Sequence, residues 1–363
     1  MTLRQAAIIV IIWALITTVF GLVVLNRLNL AGDNAYVWIN PSEFKQEKSW
    51  SPLALHARWD SFWFLDVAEN GYVYKGEQKL SNIVFFPLYP GLIWLFALVL
   101  KNGILAGWLV SLAALIGAVF YLHRLVREFH PNLNPYVPIL LLLIFPTAFF
   151  LNAVYSESLF LFLSITIFYY LRRGNFKPAG IFGLAAALTR VTGIILLIPA
   201  LLEYAQKFNW KLRKEFAWLL LIPAGTAAFF LYHYFAFGDA TLFFKVQAWW
   251  GRGFEFNRDH ALLFSRAAII NLSLDLFYIL VSLIAMLSAW RERISYGAYV
   301  LLGLIVPLST GTLMSIGRYA LVLFPIYLVM AKMSVRRQLV WAFVSILLFG
   351  LSLTLFVNNY WAG

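Results

Sequence analysis

HARWDSFWFLDVAENGY, residues 56–72, places Arg58, Asp60, Asp66 and Glu69 within a dozen positions. The rest of the chain is largely hydrocarbon, 62% hydrophobic and only 12% charged over 363 residues. Lipid contact requires no such knot of charge, so the stretch reads as a shallow helix on a membrane surface that offers a carboxylate to a water-facing cavity. From Ser61 to Asn70, the residues Phe62, Trp63, Phe64, Leu65 and Val67 crowd the membrane-ward side, while Asp66, Glu69 and Asn70 gather at spacings of three and four. Gly71 supplies the residue that most readily ends a helix. The pattern is that of an amphipathic surface helix. Asp60 at its start has two readings that spacing alone leaves open: an N-cap accepting from the first free amides, or a catalytic carboxylate.

Working outward, uncharged runs such as Ile294 to Gly317 and Leu339 to the C-terminus exceed the roughly 20 residues needed to cross a bilayer. Backbone at that depth must satisfy its own hydrogen bonds, so the spans are helices and the fold class is an all-α polytopic transmembrane bundle. The absence of cysteine excludes disulfides and thiolate metal sites. A net charge of +12 invites a nucleic-acid reading, yet the Lys and Arg residues sit in short clusters at the ends of apolar runs, as in proteins oriented by cytoplasmic cations. No nucleic-acid module is visible, and membrane lipid is the expected surrounding. The first apolar run, Ile8 to Leu25, is long and lacks a small-residue cleavage site, so it reads as a retained span.

The chain reads as a single integral-membrane domain over 1–363, with a first extracytoplasmic loop at 29–83 and a second at 238–266. Between them charge and hydropathy disagree. If both Val84 to Leu100 and Ile104 to Leu122 cross, the basic clusters His123 to His130 and Arg172 to Lys177 fall outside. If the first of these, short and carrying Pro87 and Pro90 as helix punctuation, lies shallowly or re-enters, both clusters return to the cytoplasm. The second version is adopted. Tyr136 to Leu151 then rises, Asn152 to Ser158 turns outside, and Leu159 to Leu171 descends. Pro178 to Leu202 is read as a helix pair broken at Leu188 to Gly193, which lifts Arg190 to a cavity; an unpaired Arg left in lipid costs at least ~3 kcal/mol. Phe216 to Phe237, Ala267 to Ala289, Ser295 to Leu308, a descent from the Gly311 to Arg318 turn to Lys332, and Val340 to Val357 complete the spans.

On this topology one face collects Arg58, Asp60, Asp66, Glu69, Tyr155, Glu157, Arg190, Arg252, Arg258, His260 and Arg318. A carboxylate at a cavity mouth suits a general base acting on a hydroxyl, and the guanidinium fork matches phosphate oxygens in pairs. A base with phosphate clamps, open sideways to lipid, suits transfer from a phosphorylated lipid to a hydroxyl. Each residue also has a plainer role. Glu157 fits a helix first turn stabilised by its dipole, Arg252 and Arg258 fit headgroup contacts, and His260 fits a polar loop residue. Trp249 and Trp250 fit an interfacial belt better than the alternative, a sugar platform. Asp60, Asp66 and Glu157 have no fixed metal spacing, so no obligatory metal is expected and no cofactor is implied.

RWDSFWFLDVAENGY, FFPLYP, FPTAFFLNAVYSESLFLF, AALTRVTGIILLIPAL and GRYALVLFPIYLV, in that order up to Leu328, resemble the membrane mannosyltransferases related to the second mannosyltransferase of GPI-anchor assembly. The resemblance implies a C-type glycosyltransferase fold, a catalytic carboxylate in the first outside loop at Asp60, and a polyprenyl- or dolichyl-phosphate sugar donor, usually mannose. It also implies that Trp59 supports Asp60, that Glu157 belongs to the second outside motif, and that Arg190 and Arg318, with Arg58, contact the donor phosphate. The remaining polar residues of that face become supporting or acceptor-binding candidates. FPTAFF stands where the eukaryotic enzymes carry an Asn-Pro pair. That departure points to a prokaryotic cell-membrane member, its site facing outward, using an undecaprenyl-type donor on a glycan, lipid or protein acceptor.

Two other classes compete. A transporter or flippase of lipid-linked sugars requires a polar path to the cytoplasmic side, whereas intramembrane charge gathers near one face. A non-catalytic subunit that binds a lipid-linked sugar keeps Arg190 and Arg318 but tolerates loss of Asp60. The topology itself is testable with single cysteines added to this cysteine-free chain. Asn175→Cys and Asn209→Cys are expected to label only from the cytoplasm, Ser42→Cys and Asn257→Cys only from outside. Labelling at position 175 from outside would sink the shallow reading of Val84 to Leu100.

Overall fold

The computed structural model of the chain describes residues 1–28, 30, 51–252 and 266–362, with the side chains of 266–271 left aside. Among the described residues it is helix and turn, without a strand. Helix α1 (Leu3–Arg27) opens on a capping box in which Thr2 and Gln5 satisfy each other's amides. The surface helix α2 (Asp60–Asn70) ends at Gly71, whose φ of 74° is the left-handed value expected of that glycine. Pro87 precedes α3 (Leu88–Leu100), and Asn102 caps α4 (Gly103–Phe129) by accepting from the Leu105 amide. Then come α5 (Tyr136–Leu143), α6 (Glu157–Arg172), α7 (Phe176–Ala187), α8 (Leu197–Phe208), the single turn α9 (Phe216–Leu219), α10 (Leu221–Phe237) and α11 (Leu242–Trp249). The last five are α12 (Arg266–Glu292), α13 (Ile294–Leu308), α14 (Ile316–Leu321), α15 (Pro325–Ala331) and α16 (Val335–Val357).

Among the described residues, six helical segments are long and apolar enough to cross a bilayer: Leu3–Arg27, Gly103–Phe129, Val191–Phe208, Phe216–Phe237, Leu272–Glu292 and Val335–Val357. The chain is a multi-pass integral membrane protein. Helix α4 packs along α1, α3 and α6; α6 packs on α7, α7 on α10, and α12 on α13. The core between them is aromatic, with Phe150, Tyr155, Phe168, Tyr296 and Tyr299 fully buried. Rows such as Ile12, Ile16 and Val19 on α1 and Phe343 and Leu347 on α16 stay exposed, the surface that acyl chains cover. At one end of α8 and α13, Arg293 pairs with both oxygens of Glu203 at 2.5 and 2.6 Å and Ser295 donates to the same carboxylate. Nearby, Glu292 takes His130 at 2.7 Å and Lys332 at 2.5 Å.

At the other end the helices are interrupted, and here two expectations need correcting. Tyr136 to Leu151 is not one span. Helix α5 stops at Leu143 because Pro146 lacks an amide and disfavours helical backbone at Phe145, and the chain continues as a tight 3-10 turn, Ala148–Asn152. The descent expected from the Arg318 turn to Lys332 is likewise two short helices, α14, which contains Arg318, and α15, opened by Pro325. The break anticipated at Leu188 to Gly193 is present: α7 ends at Ala187, a 3-10 turn runs Val191–Leu196, and α8 follows. Leu188 accepts from the Leu88 amide at 2.9 Å, which ties the break to the start of α3.

Gly193 makes the break possible, because a Cβ there would lie 2.3 Å from the Ala186 carbonyl oxygen. Gly193→Ala is therefore expected to lower stability by about 1–3 kcal/mol and to displace Arg190. Gly91→Ala on α3, where a Cβ meets nothing within 4 Å, is expected to be neutral or to stabilise by ~0.5–1 kcal/mol. Thermal unfolding in detergent checks the pair; equal melting temperatures for both variants would overturn the packing account.

Candidate active site

The interruptions converge on Arg318. Its Nη1 donates to Asp60 Oδ2 at 2.6 Å, while Nε and Nη2 both reach Glu157 Oε1 at 2.7 Å. Arg190 Nη1 stands 3.0 Å from the same Glu157 oxygen. Glu157 is fully buried and Asp60 only partly, its side chain 16% exposed. The Arg318 guanidinium lies over the rings of Tyr155 at 4.7 Å, Phe150 at 5.0 Å and Trp361 at 5.5 Å. Burial alone would raise the Glu157 carboxyl, but Arg318 and Arg190 hold it below the ordinary carboxylate value.

A third guanidinium completes the group. Arg252 donates from Nη1 to Tyr319 Oη at 3.2 Å, and from Nη2 to the Met314 carbonyl at 3.2 Å and Ser315 Oγ at 3.3 Å. Tyr319 is flanked by Arg190 and Arg252, 5.3 and 5.7 Å from its ring. Asp60, Arg190, Arg252, Arg318 and Tyr319 form the polar side of a cavity of about 120 Å³, and Phe64, Phe85, Phe86, Phe243 and Trp250 form its apolar side. Three guanidiniums face two carboxylates, so the site carries an excess of positive charge. Such a cavity has the charge to attract an anion beside a carboxylate.

The turns presenting the two key side chains are strained. Trp59, just before Asp60, has φ 52° and ψ −117°, and Ser315, three residues before Arg318, has φ 73°. Non-glycine residues rarely adopt such values, each costing on the order of 1–3 kcal/mol, and surrounding contacts must impose them. Those contacts are present. Tyr155 Oη accepts from the Asp60 amide at 3.2 Å and donates to the Arg58 carbonyl at 3.0 Å. Thr147 of FPTAFF donates to the Gly317 carbonyl at 2.9 Å, and a Cβ on Gly317 would collide with Tyr278 at 2.7 Å and Thr147 at 2.9 Å. The loop ahead of Asp60 is pinned through His56, whose Nδ1–H donates to the Asn152 carbonyl at 2.6 Å while its own carbonyl accepts from the Val154 amide. Burial pushes the His56 imidazole down to about 4, so it is neutral at pH 7.

Several sequence expectations change in this light. Asp60 is the first residue of α2 rather than its cap, and its carboxylate goes to Arg318 and not to amides of its own helix. Arg58 does not face the cavity: its guanidinium is buried and donates to the carbonyls of Ala54, Ala57 and Val357, which makes it a staple of the loop. Asp66 is also structural, accepting from Asn82 at 2.7 Å and Asn70 at 2.9 Å and so closing the turn after α2. Glu69 lies in a separate groove with Lys101. Tyr155 positions Asp60 from beneath, and Trp59 packs edge-on against Trp361 at 5.5 Å. Trp250 is buried and lines the cavity, unlike a member of an interfacial belt. Arg258 and His260 lie outside the described residues. Among the described residues no three His, Cys, Asp or Glu side chains gather as a metal-ligand set. Sequence reasoning passed over Tyr319, Thr192, Gln247 and Trp361, although Tyr319 and Thr192 sit inside motifs it had quoted.

Comparison with known proteins gives this geometry a family. Residues 8–209 match the family model described as mannosyltransferase (PIG-V). GPI alpha-1,6-mannosyltransferase 2 of Rattus norvegicus is 33% identical over 150 residues, covering 38% of this chain and 30% of that protein. GPI mannosyltransferase 2 of Yarrowia lipolytica is 30% identical over 152 residues, 40% of each chain. The match thus spans well under half the length of these relatives. The crystal structure of ArnT from Cupriavidus metallidurans bound to undecaprenyl phosphate superposes with a TM-score of 0.55 at 15% identity, over 91% of this chain and 62% of that one. That likeness is one of fold, and it agrees with the C-type glycosyltransferase architecture. With more than half of its length matched by the family model, the chain belongs to the mannosyltransferase (PIG-V) family.

Proposed function

We propose that the protein is an inverting glycosyltransferase that moves a sugar, most simply mannose, from a polyprenyl-phosphate donor to an acceptor hydroxyl on the extracytoplasmic side. The observation that carries the reading is a single cavity wall bearing a carboxylate, Asp60, and three guanidiniums. Family membership supplies the sugar, and an ArnT structure with bound undecaprenyl phosphate supports a lipid-phosphate donor. The acceptor is a glycan, lipid or protein bearing a free hydroxyl, and the reading asks for no metal ion.

Arg318 donates to Asp60 Oδ2 in the structure, so that carboxylate oxygen is engaged before donor binds. The donor phosphate, held by Arg252 and Arg190, competes for Arg318 and draws it from Asp60. The freed carboxylate takes the proton of the acceptor hydroxyl as that oxygen attacks the anomeric carbon. The new glycosidic bond forms while the bond from the anomeric carbon to the phosphate oxygen breaks. The electron pair leaves with the lipid phosphate, where the arginines stabilise it. Beneath the site Phe168, Tyr299 and Phe324 pack against one another at 5.1 to 5.9 Å. That floor is aromatic, which does not favour a transport path.

Purified protein incubated with polyprenyl-phosphate mannose and hydroxyl acceptors, followed by mass spectrometry, tests the activity; neither transfer nor donor hydrolysis with any polyprenyl-phosphate sugar would reject it. Asp60→Asn preserves shape but not basicity, so turnover is expected to fall by at least ~10²-fold while donor still binds. Near-normal transfer by folded Asp60→Asn protein would move the base elsewhere. Arg318→Lys keeps the charge but cannot bridge Asp60, Glu157 and a phosphate together, so donor affinity is expected to weaken. Unchanged donor affinity in both Arg318→Lys and Arg318→Ala would remove Arg318 from the donor site.

A further inference from the structure

Two segments reach the cavity with the same spacing. The 3-10 turn after α7 carries Arg190 and, two residues on, Thr192; the end of α11 carries Trp250 and, two residues on, Arg252. Arg252 is hydrogen-bonded and Arg190 is ion-paired to Glu157 although its Nη1 makes no hydrogen bond, whereas Thr192 Oγ1 and Trp250 Nε1 are buried polar atoms with no hydrogen-bond partner in the protein and no charge partner either. Thr192 is 4% exposed and Trp250 6%, and both line the cavity. A polar group left unmatched in such a place is costly. Neither is there to fill space loosely, since Trp250 is fixed edge-on against Trp63 at 5.1 Å and Phe85 at 5.9 Å.

We infer that Thr192 and Trp250 are the sugar-reading residues of the site, donating to and accepting from hydroxyls of the hexose while the neighbouring arginines hold its phosphate. This rests on the proposed donor class and goes beyond it by separating the group that reads the sugar from the groups that read the anion. An indole N–H only donates, so Trp250 takes a hydroxyl oxygen, and the Thr192 hydroxyl both donates and accepts. The lone pairs and protons of a ring hydroxyl match that set, whereas phosphate, which only accepts, leaves the acceptor side of Thr192 unmatched. Gln247, one turn before Trp250 and also on the cavity wall, extends the polar row. The aromatic edges of Phe85, Phe86 and Phe243 offer an apolar face to the sugar's C–H groups.

The test measures binding, not turnover. Full-length protein in detergent is titrated calorimetrically with short-chain polyprenyl phosphate and with the same lipid carrying mannose, for the wild type, Trp250→Phe and Thr192→Val. The wild type is expected to bind the sugar-bearing lipid more tightly. Each variant is expected to lose roughly three- to tenfold of that increment, with its affinity for the bare phosphate unchanged. Deoxy-mannosyl lipids supply a readout that needs no variant: removal of the hydroxyl that Trp250 or Thr192 reads is expected to weaken wild-type binding by a similar factor. Equal binding of the two lipids by the wild type overturns the inference. So do an increment that survives both substitutions and a loss shared equally by the bare phosphate. Protein that shows the increment but transfers nothing sinks the transferase reading and leaves the sugar site standing, whereas full transfer with an increment untouched by both variants does the reverse.

Discussion

One guanidinium, that of Arg318, spans Asp60 and Glu157, and the architecture around it follows from the difficulty of burying charge in a membrane protein. Breaking such a pair by removing one partner is destabilising by about 3–5 kcal/mol because it leaves an uncompensated charge. Two carboxylates and two arginines neutralise each other here, and aromatic faces beneath Arg318 add a further favourable contact without water. The pair joins residues 258 positions apart, so it also fixes the start of α2 onto α14.

The helix breaks have the same origin. Non-helical backbone at membrane depth is tolerated only where protein or a cavity supplies its hydrogen bonds, and here neighbouring segments supply them. The 3-10 turn before α6 anchors His56 through Asn152 and Gly317 through Thr147. The turn after α7 is bonded to the start of α3. Asn152 reaches further, donating to Thr17 at 2.7 Å and accepting from Trp108 at 2.9 Å, so α1 and α4 hold the same turn. Shortened helices thus bring Asp60, Arg190 and Arg318 to one place that straight spans would leave apart.

What the sequence revealed and what it hid divide along physical lines. Apolar runs and their caps announce the long helices, and α1, α4 and α10 lie where hydropathy puts them because lipid exposure leaves no other choice. Arg190 was legible for the opposite reason: a cation inside an apolar run must leave lipid, which required the break at Leu188 to Gly193 and a cavity there, whereas its carboxylate partner Glu157 was not foreseen. Arg58 misled, since a buried guanidinium can donate to backbone carbonyls, here those of Ala54 and Ala57, as well as to phosphate, and sequence does not show which. Asp66 misled likewise, its partner Asn82 being a neutral residue 16 positions away. The roles of Thr147, Trp250 and Tyr319 depend on contacts between distant segments, and no local pattern encodes those.

Asp60 is held by the residue that, on the proposed reading, later binds the donor's phosphate. This coupling has a chemical use. A free carboxylate beside an activated sugar phosphate is as ready to deprotonate water as an acceptor hydroxyl, and water is the more abundant nucleophile. While Arg318 grips Asp60, the carboxylate's Oδ2 is occupied by a guanidinium N–H, and it is released only as the phosphate competes for the guanidinium. By then the sugar occupies the cavity and the rings of Phe64, Phe85, Phe86 and Phe243 wall its apolar side, so the space left for water is small. The buried Glu157 keeps the exchange from becoming an expulsion. It retains Arg318 by two nitrogens when Asp60 lets go, so the arginine pivots between carboxylate and phosphate instead of leaving the site.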